Sequence, residues 1–122
     1  MTTPLPASGR LIACLCAEWC GTCRDWRPLF DEVVARHPGA RVAWVDIEDE
    51  SDLMGDVEVE TFPTLLIVDW AGGGAQVRFF GPLLPHAQTL ARLLESLDAP
   101  GGPVQAVPPD VQALAVRLGL RD

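Results

Sequence analysis

Runs of apolar residues with two different periods divide the chain into elements. Arg10-Leu11-Ile12-Ala13-Cys14-Leu15-Cys16 is nearly all apolar and predicts a buried strand over residues 10–16. Beyond it, Trp26, Leu29, Phe30, Val33 and Val34 recur at helical spacing, predicting a helix over about 20–36, with Pro28 inside it as a kink and His37-Pro38-Gly39 as its stop. Arg41 to Ile47 reads as a second strand, so residues 10–47 make a βαβ unit whose crossover should be right-handed. A short helix is expected at 51–55, inside the acidic connection Glu48–Glu60. Strands at 65–69 and 76–80 flank the turn signal Ala71-Gly72-Gly73-Gly74 and predict a hairpin. A helix over 86–97 follows, with Leu90, Leu93, Leu94 and Leu97 facing inward. After a Pro/Gly-rich linker at 99–109, Val111, Leu114, Ala115 and Leu118 mark a short amphipathic helix at 110–118, within a C-terminal segment 110–122. Residues 1–9 read as a flexible tail, and 10–98 as the single main domain.

Composition narrows the function classes. A chain of 122 residues with 48% hydrophobic content and positive mean hydropathy can build a core without staples. A net charge of −8 argues against a nucleic-acid partner, because phosphate binding requires a basic face. No apolar run is long enough to span a membrane. Leu11-Ile12-Ala13-Cys14 superficially matches a lipoprotein cleavage box, but Met1–Arg10 offers neither an apolar signal core nor an early basic charge. The expected location is therefore cytoplasmic.

All four cysteines fall between Cys14 and Cys23, whereas a secreted disulfide scaffold would spread them along the chain. In Trp19-Cys20-Gly21-Thr22-Cys23 two thiols sit three residues apart where strand gives way to helix. The unpaired N–H groups and positive dipole end of a first helical turn favour a thiolate over a thiol. Thiolates attack disulfides, so Cys20 is the candidate nucleophile, with Cys23 within reach one turn further in. Zinc binding by Cys14, Cys16, Cys20 and Cys23 is the numerical alternative, but strand geometry should hold the first two in the core, and no metal is expected. Cys14 and Cys16 share one face of the strand, towards the helix. They read either as small hydrophobes or, for Cys14, as a third thiol behind the pair.

The chain resembles the thioredoxin family. Ala17-Glu18-Trp19-Cys20-Gly21-Thr22-Cys23 looks like its active-site run, with threonine at 22 where proline is usual. Pro28 falls at the family's helix kink, Phe62-Pro63-Thr64 matches its cis-proline loop, and Gly81 matches the glycine bordering the substrate groove. The resemblance implies an α/β thioredoxin-like fold: a mixed four-stranded sheet flanked by helices, βαβ then ββα, with the family's N-terminal strand and helix truncated. It also implies that Trp19, Gly21, Thr22, Phe62, Pro63 and Gly81 contact substrate, Phe62 presenting its backbone to an extended chain. Two departures stand out: Cys14 replaces a buried aspartate thought to assist the second cysteine, and Trp44 replaces its lysine partner. Without the N-terminal elements, strand 41–47 becomes a sheet edge.

The expected activity is thiol–disulfide exchange on protein substrates, with a reductase or dithiol as electron donor and no bound cofactor. The expected state is a monomer, with an edge-mediated dimer as the alternative. A binding module with little turnover is the rival reading. Arg24 either supports thiolates by its charge or is a solvated helix residue. Trp26, Trp44 and Trp70 read as structural. The eight carboxylates of Asp46–Glu60 read as a solvated face, since their spacing fits no calcium loop.

Overall fold

Four strands and four helices make up the computed structural model, which describes residues 8–17, 19–71, 74–98 and 105–120. The elements are β1 (Ser8–Cys16), α1 (Gly21–Val34), β2 (Arg41–Asp46), α2 (Ser51–Met54), β3 (Thr64–Ala71), β4 (Gly74–Pro82), α3 (Ala87–Asp98) and α4 (Pro109–Leu120). The sheet order is β2-β1-β3-β4, with β1 parallel to β2 and antiparallel to β3, and β3 antiparallel to β4. This is the mixed sheet that the βαβ and ββα patterns imply, with β2 at an edge and Val42 exposed on it.

Because β1 is central and covered on both sides, its side chains are apolar on both faces, which explains the unbroken hydrophobic run. Ile12, Cys14 and Cys16 pack under α1 and α3 with Leu65, Ile67, Trp26, Phe30, Leu90 and Leu94. Leu11, Ala13 and Leu15 face the other way, joining Val45, Leu66, Val68, Trp70 and Val77 beneath α2 and α4. The β3–β4 register slips at Ile67/Val68, so Ile67 pairs with Phe79 while Val68 pairs with Val77. The extra residue is Arg78. A bulge of this kind keeps Val77 and Phe79 on opposite faces although the ladder has gained one residue.

That irregular point carries an ionic cluster. Arg10 Nε donates to Asp69 Oδ1 at 2.7 Å, and its Nη1 donates to Asp98 Oδ1 at 2.6 Å. Arg78 also donates to Asp69, and its Nη2 reaches the Leu97 carbonyl at 3.1 Å. Two guanidiniums thereby meet the negative end of α3, tying that helix to the β-bulge. Burial works against the Asp69 carboxylate, but the hydrogen bonds and charges of Arg10 and Arg78 outweigh it and hold its pKa below the usual value.

The C-terminal helix is a full layer of the fold. Val111, Leu114, Ala115 and Leu118 are buried against the sheet, and each buried leucine contributes about 1.5–3 kcal/mol. Arginines lock it in place. Arg117 Nε donates to the Leu53 carbonyl at 2.7 Å and its Nη2 to the Met54 carbonyl at 3.2 Å, satisfying the end of α2. Gly55 closes α2 at φ 58°, ψ −125°, and a Cβ there would come within 2.9 Å of Arg117 Nη2. The backbone angle favours glycine, and a Cβ would also push the end of the Arg117 side chain aside.

Several boundaries differ from those read in the sequence. Ser8 and Gly9 belong to β1 rather than to the tail, because they pair with Ala71 and Trp70. Strand β4 runs from Gly74 to Pro82 and α4 from Pro109 to Leu120, both longer than their apolar cores. The remainder of the expected tail, and residues 99–104 of the expected linker, lie outside the described residues. Gln105 is not free linker: its N–H donates to the Val77 carbonyl, and its side-chain amide pairs with both the N–H and C=O of Phe80. A single side chain thus imitates a neighbouring strand along the β4 edge.

Candidate active site

The cysteine motif straddles the mouth of α1. Cys20 is its N-cap, with extended backbone angles of φ −83° and ψ 117°. The Cys20 N–H is turned back to the Ala17 carbonyl at 3.0 Å, and the Cys20 carbonyl accepts from Arg24 N–H at 3.3 Å to start the helix. Cys20 is partly exposed and is a free thiol, whereas Cys23, within the first turn, is 1% exposed. Gly21, Thr22 and Arg24 are all exposed around them. Pro28 lies inside α1, where its missing N–H removes the bond to the Arg24 carbonyl.

Cys23 is bonded to Cys16, not to Cys20: the one disulfide of the described residues joins Cys16 and Cys23, with Cα atoms 5.9 Å apart. The strand places Cys16 at the end of β1, on the face that meets the first turn of α1. Cys14, two residues back on the same face, lies with its sulfur 3.7 Å from Cys16 Sγ. The thiol joined to the motif is therefore Cys16, and Cys14 stands one step deeper. Cys16 belongs to a disulfide and carries no proton, so the Cys14 S–H is the donor between them. Burial pushes the Cys14 thiol up to about 12, against a smaller opposing influence from the Trp26 indole N–H.

Around Cys20 the walls come from three segments. Trp19 is 62% exposed, its indole N–H donates to Glu48 Oε1 at 2.8 Å, and its ring meets Phe62 edge-on at 5.6 Å. Glu48 is itself positioned by Asp46, whose Oδ1 accepts from the Glu48 and Asp49 N–H groups. The Phe62–Pro63 peptide bond is cis. Thr64 Oγ1 donates to the Thr61 carbonyl at 2.6 Å, and Leu83 N–H to the Pro63 carbonyl at 3.1 Å, so the loop is held from both sides.

Two cavities adjoin this region. One, of about 340 Å³, reaches Cys23 and is lined by Ala17, Arg24, Arg27, Trp44, Asp46 and Asp49. Arg27 lies over the Trp44 ring at 5.0 Å, and Phe30 packs edge-on against the same ring, so Trp44 forms a wall as well as part of the core. The other, of about 330 Å³, places Gly81 with Thr61, Thr64, Glu58 and Glu60. Gly81 thus borders the proline loop, while Cys23 lines the first cavity.

A family described as Thioredoxin matches residues 6–96, about three quarters of the chain. This chain belongs to the thioredoxin family. It is 33% identical over 61 residues to a thioredoxin of Chlamydia pneumoniae, covering 50% of this chain and 60% of that one. It is 34% identical over 68 residues to an H-type thioredoxin of Oryza sativa subsp. indica, covering 56% of each. The chain thus spans little more than half the length of these relatives. Among solved structures, mitochondrial thioredoxin 3 of Saccharomyces cerevisiae in its oxidized form superimposes with a TM-score of 0.55 at 22% identity, covering 70% of this chain and 76% of that one. Fasciola hepatica thioredoxin gives 0.56 at 22% identity, covering 71% and 79%. The fold is thioredoxin-like, and the family carries thiol–disulfide oxidoreductase chemistry in general.

Three participants escaped the sequence reading. Glu48 as the anchor of Trp19 had no local signal beyond its acidity. Cys16 as the partner of Cys23 could have been found: residues two apart on a strand share a face, and this strand feeds directly into the helix holding Cys23. Gln105 lay in what read as linker.

Proposed function

We propose that this thioredoxin-family protein reduces or exchanges disulfides in protein substrates, with Cys20 as the attacking thiol and Cys23 as the first resolving thiol. One observation carries the reading: Cys20 is a free, partly exposed thiol at the N-cap of α1, with Trp19, Phe62 and the Pro63 loop beside it. Cys20 thiolate attacks a substrate disulfide and forms a mixed disulfide, releasing one substrate sulfur as thiolate. Cys23 thiolate then attacks the Cys20 sulfur, forming Cys20–Cys23 and releasing the second substrate sulfur. The substrate enters as an extended segment along the backbone of Phe62, between the Trp19 ring and the Gly81 groove. A cytoplasmic dithiol donor or reductase returns the protein to its reduced form.

The test is reduction of insulin disulfides with dithiothreitol as donor. The parent protein should accelerate precipitation of the insulin B chain, and Cys20→Ser should drop to the uncatalysed rate. Activity retained by Cys20→Ser would remove the assignment.

A further inference from the structure

The four sulfurs are not two pairs but a row leading inward. Cys20 is partly exposed, Cys23 is buried one turn later, Cys16 is bonded to Cys23, and Cys14 touches Cys16 from below. Cys23 is the shared member: it follows Cys20 by one helical turn, and it meets Cys16 across the strand–helix junction. The 5.9 Å between the Cys16 and Cys23 Cα atoms falls within the roughly 4.4–6.8 Å that a disulfide spans, so the backbone already holds these residues at bonding separation.

We propose that Cys16 is a second resolving thiol, which takes Cys23 over from Cys20 and parks the oxidised state inside the protein. The inference rests on the reading of Cys20 as nucleophile. The step is an isomerisation. Cys16 thiolate attacks the Cys23 sulfur of the Cys20–Cys23 disulfide, the Cys16–Cys23 bond forms, the Cys20–Cys23 bond breaks, and Cys20 departs as thiolate. The proton given up by Cys16 ends on the Cys20 sulfur. No electrons are gained or lost, because the two taken up by substrate came from the first exchange.

Two local features favour Cys16 in this role and end the row there. The Cys14 S–H donates to the Cys16 sulfur, which helps Cys16 carry negative charge whenever it leaves Cys23. Cys14 itself, with its thiol pushed up to about 12 by burial, stays protonated at neutral pH and does not attack in turn.

The consequence is a change of behaviour with redox state. With all thiols reduced, Cys20 attacks and Cys23 resolves, giving turnover. Once Cys23 is held by Cys16, Cys20 is again free and accessible, but a substrate it captures has no resolving thiol and stays attached. Return attack of Cys20 thiolate on Cys23 reverses the isomerisation and reopens the site to a reductant.

Cleavage after Glu18 separates Cys14 and Cys16 from Cys20 and Cys23, which makes the pairing directly readable. The reduced full-length protein is oxidised with glutathione disulfide, acid-quenched, alkylated while denatured and digested with a glutamyl endopeptidase. The expected product is a fragment pair linked through Cys16–Cys23 with Cys20 alkylated. Separate fragments holding a Cys20–Cys23 disulfide, or linkage through any other pair, would overturn the proposal. A glutathione titration gives a second readout. If the inner disulfide outnumbers the outer about tenfold, Cys16→Ala lowers the oxidation equilibrium constant about tenfold, or about 30 mV. An unchanged constant would overturn the proposal too. Insulin reduction by Cys20→Ser reports on the nucleophile separately: unlinked fragments with an inactive Cys20→Ser remove Cys16 alone.

Discussion

The two faces of the sheet are built from alternate residues of the same strands yet differ in chemistry. Under α2 and α4, β1 contributes Leu11, Ala13 and Leu15, and the layer is aliphatic and aromatic apart from the methionine sulfur of Met54. Under α1 and α3 the intervening residues are Ile12, Cys14 and Cys16, and the layer contains three of the four cysteine sulfurs with Cys20 packed at its margin. Burial is equally complete on both sides. What differs is that one face can exchange bonds and the other can only hold shape. Leu15 and Cys16, adjacent in sequence, therefore serve opposite ends: the first anchors α4 and the second bonds Cys23.

If that division holds, damage to the aliphatic face should cost stability and spare the thiols. Leu114→Ala should lose about 2–5 kcal/mol in urea unfolding followed by tryptophan fluorescence. The alkylation rate of Cys20 in the folded fraction should be unchanged; a large change would show that the faces are coupled.

The ionic cluster at the β-bulge ties the end of α3 to the sheet. Asp69→Ala leaves two guanidiniums without their shared carboxylate and should cost about 1–3 kcal/mol. The pH dependence has a defined sign. Because the folded-state pKa of Asp69 is depressed, its contribution is present above the unfolded value near 3.9 and lost as pH falls through the folded value. The parent should therefore lose stability below about pH 4, and Asp69→Ala should lose less over the same range.

A gradual effect is read at the alkaline end. The chain contains no tyrosine, and its cations are arginines, so thiols dominate titration there. Cys14 is held as a thiol up to about 12, so its contribution to stability is fully present below the unfolded thiol value and lost as pH rises towards 12. The decline from this group should reach at most about 1.4 kcal/mol per pH unit above roughly pH 9. Cys14→Ala should flatten it, and an unchanged slope would place the titration elsewhere.

Much of this arrangement is legible from periodicity. The βαβ and ββα order, the leucines of α3, the apolar stripe of α4 and the position of Cys20 at a helix start all follow from short-range patterns. Element ends were less visible. Ser8 and Gly9 are in a strand because Ala71 and Trp70 pair with them, a cause that lies in residues far away in the chain, and Gly74 is in one because it pairs with Ala71 across the hairpin. The β-bulge at Arg78 was equally silent, since an extra residue in one strand is defined only by its partner.

Local chemistry in the chain was sufficient to specify a strand–thiol–helix junction, a proline loop and a buried central strand, because each depends on residues within a few positions of one another. Which sulfur Cys23 meets, how Glu48 steadies Trp19, and how Gln105 closes the β4 edge were settled by folding. Strand alternation turns both Cys14 and Cys16 towards the helix, but a bond between two sulfurs depends on where the backbone finally brings them.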